Sequence, residues 1–422
     1  MKAQVIGALC AVACAWTFPG AGRAQQQATS LSLAQALQRT AAANPRLTAA
    51  DRTIAMGEGR RQQANALPNP TLAFDIDNVA PGTAVPGQPV QTTLLLSQLI
   101  ELGGKREARV AAALGDYDAA RYEREATRLE ILSETTIAFI GQLAAQRRIT
   151  LLDRHVAAVE RVVPLVQRRV EAGASSPADL TRVQAAAGFV RVERERSRTA
   201  LATARRELAV LMGLDSPDFA VASGDFGRLA RPAPFASIAK AIEDNPQLAR
   251  WSAVRARRDA DLLSARLKAV PDLTASVGWR RFEDAPENAI RLGVSMPLPV
   301  LDRNRGGIHE AQELARRTDA ERAASRLNLV GIVGKAHDSA VGALAQIELL
   351  RRAVLPAVRS SLSTIETGYE QGRFTILEIL DAYQRVADAE LMEHDAMTTL
   401  HVALATIEGL TGGSAVVLAR TK

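Results

Sequence analysis

The sequence predicts a mainly α fold that carries part of a membrane β-barrel, with long coiled-coil helices interrupted by two pairs of β-strands. Three observations predict it. The chain repeats itself at a spacing of about 200 residues. Each repeat holds a proline-bounded segment of alternating polarity. Each then continues into a helical run of about 60 residues, and in the second repeat the apolar positions of that run step by three and four.

The repeat organises everything else. Asn44-Pro45-Arg46-Leu47 recurs as Asn245-Pro246-Gln247-Leu248, and the 25 residues from Pro45 to Pro70 recur between Pro246 and Pro271. Glu171-Ala172-Gly173 with Asp179-Leu180 matches Glu370-Gln371-Gly372 with Glu378-Ile379. The stretch from Leu208 to Gly213-Leu214 is matched to that from Leu404 to Gly409-Leu410. Such a period is far longer than that of a solenoid repeat. It reads as duplication of one unit: helix, strand pair, very long helix, turn, helix. The expected organisation is a signal peptide at 1–24, a first repeat at 25–216, a Gly- and Pro-rich linker at 217–234, and a second repeat at 235–422.

At the N-terminus, Lys2 precedes an apolar run from Val5 to Trp16, a Pro19-Gly20 break, and small residues at Gly22 and Ala24. This is the pattern of a secretory signal cleaved after Ala24, and the run is too short to span a bilayer. Lipid attachment within Ala11-Val12-Ala13-Cys14 ranks second, because it would cramp the apolar run. Cleavage at Ala24 removes Cys10 and Cys14, which excludes a disulfide framework and cysteine chemistry. It also lowers the formal charge from +6 to +4 by removing Lys2 and Arg23. Aromatic residues are only 4% of the chain, so the basic balance reads as charge spread over solvated helices, with no nucleic-acid partner. An excess of Ala, Leu, Arg, Glu and Gln is the composition of long helices packed through small side chains. Beyond the signal there is no apolar run of about 20 residues. Membrane passage would therefore have to be by strand.

After Pro70, Leu72, Phe74 and Ile76 alternate with Ala73, Asp75 and Asp77; after Pro271, Leu273, Ala275, Val277 and Trp279 alternate with Thr274, Ser276, Gly278 and Arg280. Return strands follow loops at Pro81 to Pro89 and Ala285 to Asn288. The first, around Gln91 to Gln98, is less regular; the second sets Ile290, Leu292, Val294 and Met296 against Arg291, Gly293 and Ser295. A sheet half-buried on a soluble core would also alternate, but the remaining sequence is helical and offers the apolar face no evident core. Strands of about 9 to 11 residues, apolar outside and polar inside, suit a transmembrane barrel. Four strands cannot close one, and lipid does not tolerate open edges. Identical chains would supply the rest, three copies giving twelve strands around a polar lumen.

The helical run from about Gly306 to Gly368 contains one proline, Pro356, and a seam of Val333, Ala336, Ala340, Ala343, Ile347, Leu350 and Val354. At about 1.5 Å per residue it is about 90 Å long. Its counterpart runs from about Gly104 to Ala172 with Pro164 near its end. Helices of this length fit a tube better than a globule.

Together these features resemble the TolC outer-membrane efflux family over essentially the whole mature chain. The resemblance is carried by the duplicated Asn-Pro and strand-entry prolines and by Tyr369-Glu370-Gln371-Gly372 followed by Ile379-Leu380-Asp381-Ala382. The repeat endings Leu211-Met212-Gly213-Leu214 and Ile407-Glu408-Gly409-Leu410 add to it. Ser97-Gln98 followed by Glu101-Leu102-Gly103-Gly104-Lys105-Arg106 is similar to the branch that serves cobalt-zinc-cadmium exporters. The resemblance implies a homotrimer with a twelve-stranded barrel in the outer-membrane lipid and a long periplasmic α-barrel. Its implied partners are a periplasmic adaptor (membrane fusion) protein and an inner-membrane pump of the resistance-nodulation-division (RND) class, which supplies the energy. It implies no cofactor and no catalysis, and through the branch a heavy-metal cargo. The alternative, of a different class, is a soluble periplasmic coiled-coil adaptor or scaffold whose strand pairs form a small soluble domain.

The turns Gly173 to Asp179 and Gly372 to Glu378 are expected at the periplasmic tip. The resemblance assigns Glu378 and Asp381 to an acidic ring at the closed aperture, and Asp179 with Tyr369 to a latch between neighbouring helices. Carboxylate rings lower the barrier to cation entry. Ser176 with Asp179 and Thr375 with Glu378 also fit capping boxes, with Pro177 at the first helical position; Asp381, one turn further in, is not explained by a cap. Arg373-Phe374 departs from the family pattern and suggests an apolar constriction in place of a polar latch. Glu390, His394 and His401 share a helical face that could hold a divalent cation; lacking a third strong ligand, they are read as interface structure, and no metal site is assigned. The charged run Arg191 to Arg198 reads as a solvated face. Gly57 and Gly59 are not preceded by a strand, so they form no phosphate loop. No nucleophile and base converge, so an enzyme is not expected.

Overall fold

The computed structural model describes residues 30–79, 90–283 and 287–412. The expected signal peptide with both cysteines and most of the two strand-connecting loops lie outside them.

Each repeat opens on a pair of helices. In the first, β1 (Ser30–Ser32) leads into α1 (Leu33–Ala43), whose N-cap Ser32 forms a capping box with Gln35, and then α2 (Pro45–Asn65). In the second, α5 (Phe235–Ala241) and a 3₁₀ turn (Ile242–Asp244) lead into α6 (Pro246–Leu267). The Asn-Pro motif begins the second helix of each pair in the same way. Asn44 and Asn245 accept from the backbone N–H two residues on, at 2.9 and 2.8 Å. Each amide then donates across the repeat, Asn44 to the Leu211 carbonyl at 2.8 Å and Asn245 to the Leu410 carbonyl at 2.7 Å. Proline at the first helical position costs nothing because its missing N–H would be an orphan there. Thus one asparagine both caps the entry helix and ties it to the end of its own repeat.

Those two bonds correct the expected pairing of the repeat endings. Leu211 is equivalent to Leu410, and Gly213 to Gly412; both glycines are left-handed, with φ of 75° and 65°. Gly409, matched to Gly213 by sequence, lies inside the last helix, and a Cβ there would sit 2.3 Å from Ser133 Oγ. Its role is close helix packing. The misalignment of three residues arose because two glycines with different physical jobs stand almost one turn apart.

Both strand pairs form as expected: β2 (Thr71–Asp77), β3 (Gln91–Ile100), β5 (Leu273–Phe282) and β6 (Asn288–Ser295) make one antiparallel sheet in the order β2-β3-β5-β6. The irregular return strand β3 runs two residues beyond Gln98. Register carries the alternation across all four strands. Phe74, Leu94, Trp279 and Ile290 form one row, and Leu72, Leu96, Val277 and Leu292 the next. On the opposite face Asp75, Thr93, Arg280 and Ala289 align. The segment 217–234 contains a further strand, β4 (Val221–Ser223), paired parallel with β1.

The long helices run as expected. α3 (Lys105–Glu171) is 67 residues long and passes through Pro164 unbroken, and α4 (Pro177–Leu211) returns against it. In the second repeat α7 (Arg305–Leu349) continues through a π turn (Leu350–Val354) into α8 (Leu355–Glu370), and α9 (Ile376–Thr411) returns. Among the described residues no helix is long and apolar enough to cross a membrane.

The predicted seam is buried from Val333 to Leu350, but Leu355 and not Val354 continues it. The π turn is the cause. The Leu355 N–H reaches back five residues to the Leu350 carbonyl, so one extra residue enters the turn and the buried face advances by one. Pro356, which could not donate in a regular helix, sits at the start of α8 just after this shift. Ala340, Ala343, Ile347, Ala396, Met397, Leu400 and Ala403 make the central apolar cluster, with Phe226 inserted into it from the 217–234 segment.

Candidate functional site

The candidate duct has two chemically distinct parts, the sheet at one end of the long helices and their turns at the other. The apolar sheet face is bare. Ile290 and Leu292 are each 78% exposed, and Phe74, Leu94, Val277 and Trp279 are exposed beside them. Among the described residues no helix covers this face, so water would penalise it at about 25 cal/mol per Å². Thr92, Arg281 and Asn288 end the apolar rows on that face. The polar face carries Asp75, Asp77, Arg280 and Arg291, with Arg280 Nε donating to Thr93 Oγ1 at 3.0 Å.

The junction between sheet and helices is held by the Gly-Gly-Lys-Arg motif. Gly103 and Gly104 are both left-handed, at φ of 74° and 81°, which lets the chain turn from β3 into α3. Lys105 Nζ lies 2.8 Å from Asp272, which also accepts from the Leu102 N–H at 3.1 Å. Arg109 clamps Glu101 at 2.5 Å. Burial pushes the Asp272 carboxyl up, but Lys105 and the Leu102 amide together outweigh it and hold the group below its usual range; the bond from Arg109 likewise lowers Glu101. Asp272 immediately precedes β5, so this motif fastens the two strand pairs at their root.

At the far end the two turns are nearly superimposable in design. Gly173 and Gly372 adopt φ of 72° and 75°, and the residue after each donates back to a helix carbonyl at 2.8 Å. Both expected capping boxes are present. Asp179 accepts from the Ser176 N–H at 3.2 Å, and Glu378 accepts from the Thr375 N–H at 2.7 Å and its hydroxyl at 2.8 Å. Bonds from the Thr375 backbone and side chain keep the Glu378 carboxyl below its ordinary range. The second Asp179 oxygen accepts from Arg182 at 3.2 Å. Asp381 makes no cap; it is 64% exposed and lies 3.4 Å from Arg385, one turn along.

The tips of the two repeats pack side by side through Val159, Val162, Val166, Val183, Ile376 and Ile379, with Tyr369 buried among them. Burial pushes the Tyr369 hydroxyl up, the Arg169 cation opposes this, and the nearby Asp179 carboxylate reinforces it. The Asp179 carboxylate therefore acts on the Tyr369 hydroxyl through its charge. Arg169, which sequence reasoning missed, makes the stronger tie: it donates to the Tyr369 carbonyl at 2.8 Å, and its guanidinium stands 4.9 Å from the ring centre. Nothing in a motif marks Arg169, since the equivalent position in the other repeat is Gly368. Phe374, expected to form an apolar constriction, packs within its own chain. Its ring folds back onto Gly368, where a Cβ would lie 2.3 Å from Cδ2.

The remaining flagged residues bind helix to helix. Glu390 accepts from Arg359 at 2.6 Å and pairs with His155 of α3 at 3.0 Å. His394 stacks on Phe226 at 5.6 Å, and His401 Nε2 donates to the Phe226 carbonyl at 3.0 Å. Among the described residues no three His, Cys, Asp or Glu side chains are grouped to hold a metal. The run Arg191 to Arg198 is largely exposed, as expected of a solvated face, and it also ladders α4 to α3: Arg191 reaches Glu160, Glu193 lies 3.2 Å from Arg148, and Arg194 lies 3.6 Å from Asp153.

The His155 bond, ahead of that from Arg359, holds the Glu390 carboxyl at about 2 despite burial. A depressed carboxylate contributes stability that is complete above its ordinary value near 4.5 and is lost as the pH falls through about 2. Glu390→Gln is therefore expected to be about 3 kcal/mol less stable than the parent at pH 7 and to unfold at a lower temperature. The difference should close as the pH approaches 2, as read by circular dichroism melts of the detergent-solubilised pair.

Comparison with known proteins adds the wider context. The family described as "Outer membrane efflux protein" matches residues 23–214 and 237–413. The cobalt-zinc-cadmium resistance protein CzcC of Cupriavidus metallidurans is 31% identical over 389 residues, spanning 92% of this chain and 91% of the relative. A crystal structure of a membrane protein from Pseudomonas aeruginosa superposes with a TM-score of 0.79 at 21% identity, covering 90% of this chain and 92% of that one. The crystal structure of CusC gives the same TM-score and coverage at 16% identity.

Proposed function

The chain belongs to the outer membrane efflux protein family, and from that premise we propose that it is the exit duct of a tripartite exporter of divalent heavy-metal cations, closed by three copies of itself. It is an outer-membrane channel with a large periplasmic part, and not an enzyme. The observation that carries the closure is the sheet: one bare apolar face, one charged face, and unpaired edges at β2 and β6. Edges of this kind are not tolerated in lipid, and three four-stranded sheets make a twelve-stranded barrel with its polar face inward. Residues 25–216 and 235–422 then contribute two pseudo-equivalent wall segments per copy. The two asparagine staples support that division.

The metal cargo is supported by the relationship to CzcC over nearly the full length of both chains. Family membership supports a periplasmic adaptor and an RND pump as partners, the pump supplying the energy. At the tip, Asp179, Tyr369, Glu378 and Asp381 form the gate region, but their contributions differ. Asp179 and Glu378 are engaged in their helix caps, and Tyr369 is buried between the repeats. Asp381 is the exposed carboxylate left to face a cation. Its equivalent in the first repeat is Arg182, so the ring has threefold and not sixfold charge.

Purified protein in planar bilayers tests this reading. Asp381→Ala is expected to weaken block of the current by a multivalent cation about two- to fivefold, the effect of an exposed charge worth about 0.5–1 kcal/mol. Unchanged conductance and block would remove Asp381 from the aperture.

A further inference from the structure

We propose that the charges on the polar faces of the two edge strands lock adjacent copies together, Arg291 of one copy seating against Asp75 and Asp77 of the next. The inference rests on the reading that copies of the chain close the barrel.

The four charges of the polar face are segregated. Both acids, Asp75 and Asp77, stand on edge strand β2; both bases stand at the other side, Arg280 on β5 and Arg291 on edge strand β6. Arg280 is engaged with Thr93. Asp75, Asp77 and Arg291 are exposed and enter no ion pair among the described residues. This stands out in a chain whose helical charges are extensively paired, as Arg46 is with Glu130 and Glu134 at 2.7 Å each. Their partners are missing from one copy and present on the opposite edge of another.

Register makes the match specific. β2 and β6 run in opposite directions within the sheet, so β6 of one copy meets β2 of the next antiparallel. Full overlap of Thr71–Asp77 with residues 289–295 sets Arg291 directly opposite Asp75. It also sets Ile290 opposite Ile76, Leu292 opposite Phe74 and Val294 opposite Leu72, so the apolar face continues unbroken. A slip of one residue would turn that apolar row into the lumen and is excluded. A slip of two sets Arg291 opposite Asp77. A slip of two in the other sense, or of four in this one, leaves an acid diagonal to Arg291 at about 7–8 Å, within the reach of a long side chain. Every nearby register that keeps the faces intact therefore pairs the arginine with one of the two acids.

The segregation also selects against wrong closure. Joining two β2 edges would set acids near acids, which disfavours a back-to-back dimer. Acid edge to basic edge is a heterologous contact, the kind that generates a ring.

The test uses the full-length protein extracted from outer membranes in mild detergent, with the temperature at which the oligomer dissociates read on gels run after graded heating. Arg291→Glu is expected to lower that temperature. Combining it with Asp75→Lys and Asp77→Lys should restore it toward the parent value. Arg291→Gln, which leaves no like charge, should give a smaller drop, and added salt should narrow the gap between parent and Arg291→Gln. An Arg291→Glu oligomer as heat-stable as the parent, or a combined variant no better than the single one, overturns the lock while leaving the ring reading intact. A parent protein that is monomeric under the same conditions overturns the ring reading and this inference with it.

Discussion

Val277→Arg is expected to cost about 2–4 kcal/mol in each copy and to remove the folded protein from the outer membrane, because in the proposed barrel a charge near the middle of this strand would face lipid and be stripped of water. Val277 is on central strand β5, flanked in its row by Leu96 and Leu292, so the effect belongs to the face and not to a seam between copies. Ala73→Arg is the matched control. It lies on the opposite face, in the row of Leu95, Gly278 and Arg291, where the side chain would enter a wet lumen. Outer-membrane yield and protease resistance read the difference: Ala73→Arg near the parent, Val277→Arg strongly reduced. Equal losses for both would mean that the two faces do not see different solvents.

The second large effect is expected in the helical part, where α3 and α6 approach through Gly115. A Cβ at this position would stand 2.7 Å from Arg257 Cβ, 2.8 Å from its backbone nitrogen and 2.9 Å from its Cα. Backbone atoms of a neighbouring helix cannot swing aside as a flexible side chain does, so Gly115→Ala is expected to cost about 1–3 kcal/mol. Gly115→Leu should leave little folded protein. The Arg257 to Asp116 ion pair, at 2.5 Å, sits on the same contact and would be lost as the helices part. Gly59 in α2 gives the opposite sign: nothing lies within 4 Å of its Cβ position, and alanine there should add about 0.5–1 kcal/mol by helix propensity. Thermal melts of the three variants in detergent would read these shifts.

Much of this architecture is legible in the amino acids because it is periodic. Alternation over six and seven residues places Leu72 to Asp77 and Ile290 to Met296, and steps of three and four mark the buried line from Val333 to Leu350. What escapes is local or tertiary. The β1 and β4 strands are three residues each, too short for a period of two to register, and they meet only because 217–234 folds back on the first helix. The π turn shifts the seam by a residue through one backbone bond that no side chain announces.

The site was readable to the extent that it follows helix-cap chemistry. Ser176 with Asp179 and Thr375 with Glu378 carry their own signature, and that signature accounts for most of what those acids do. Arg169 and His155 carry none. One is the cation over the Tyr369 ring, the other the partner of Glu390, and each became visible only when helices distant in sequence were brought together. The same is true of Phe374, whose ring is accommodated by the bare backbone of Gly368.

The central claim is that one chain holds a third of a membrane barrel and cannot close it alone. The most direct test is the mass of the detergent-extracted outer-membrane protein by native mass spectrometry. The account predicts a species of three mature chains and no stable folded monomer in the membrane fraction. A membrane-inserted monomer, or a ring of two chains, would contradict it.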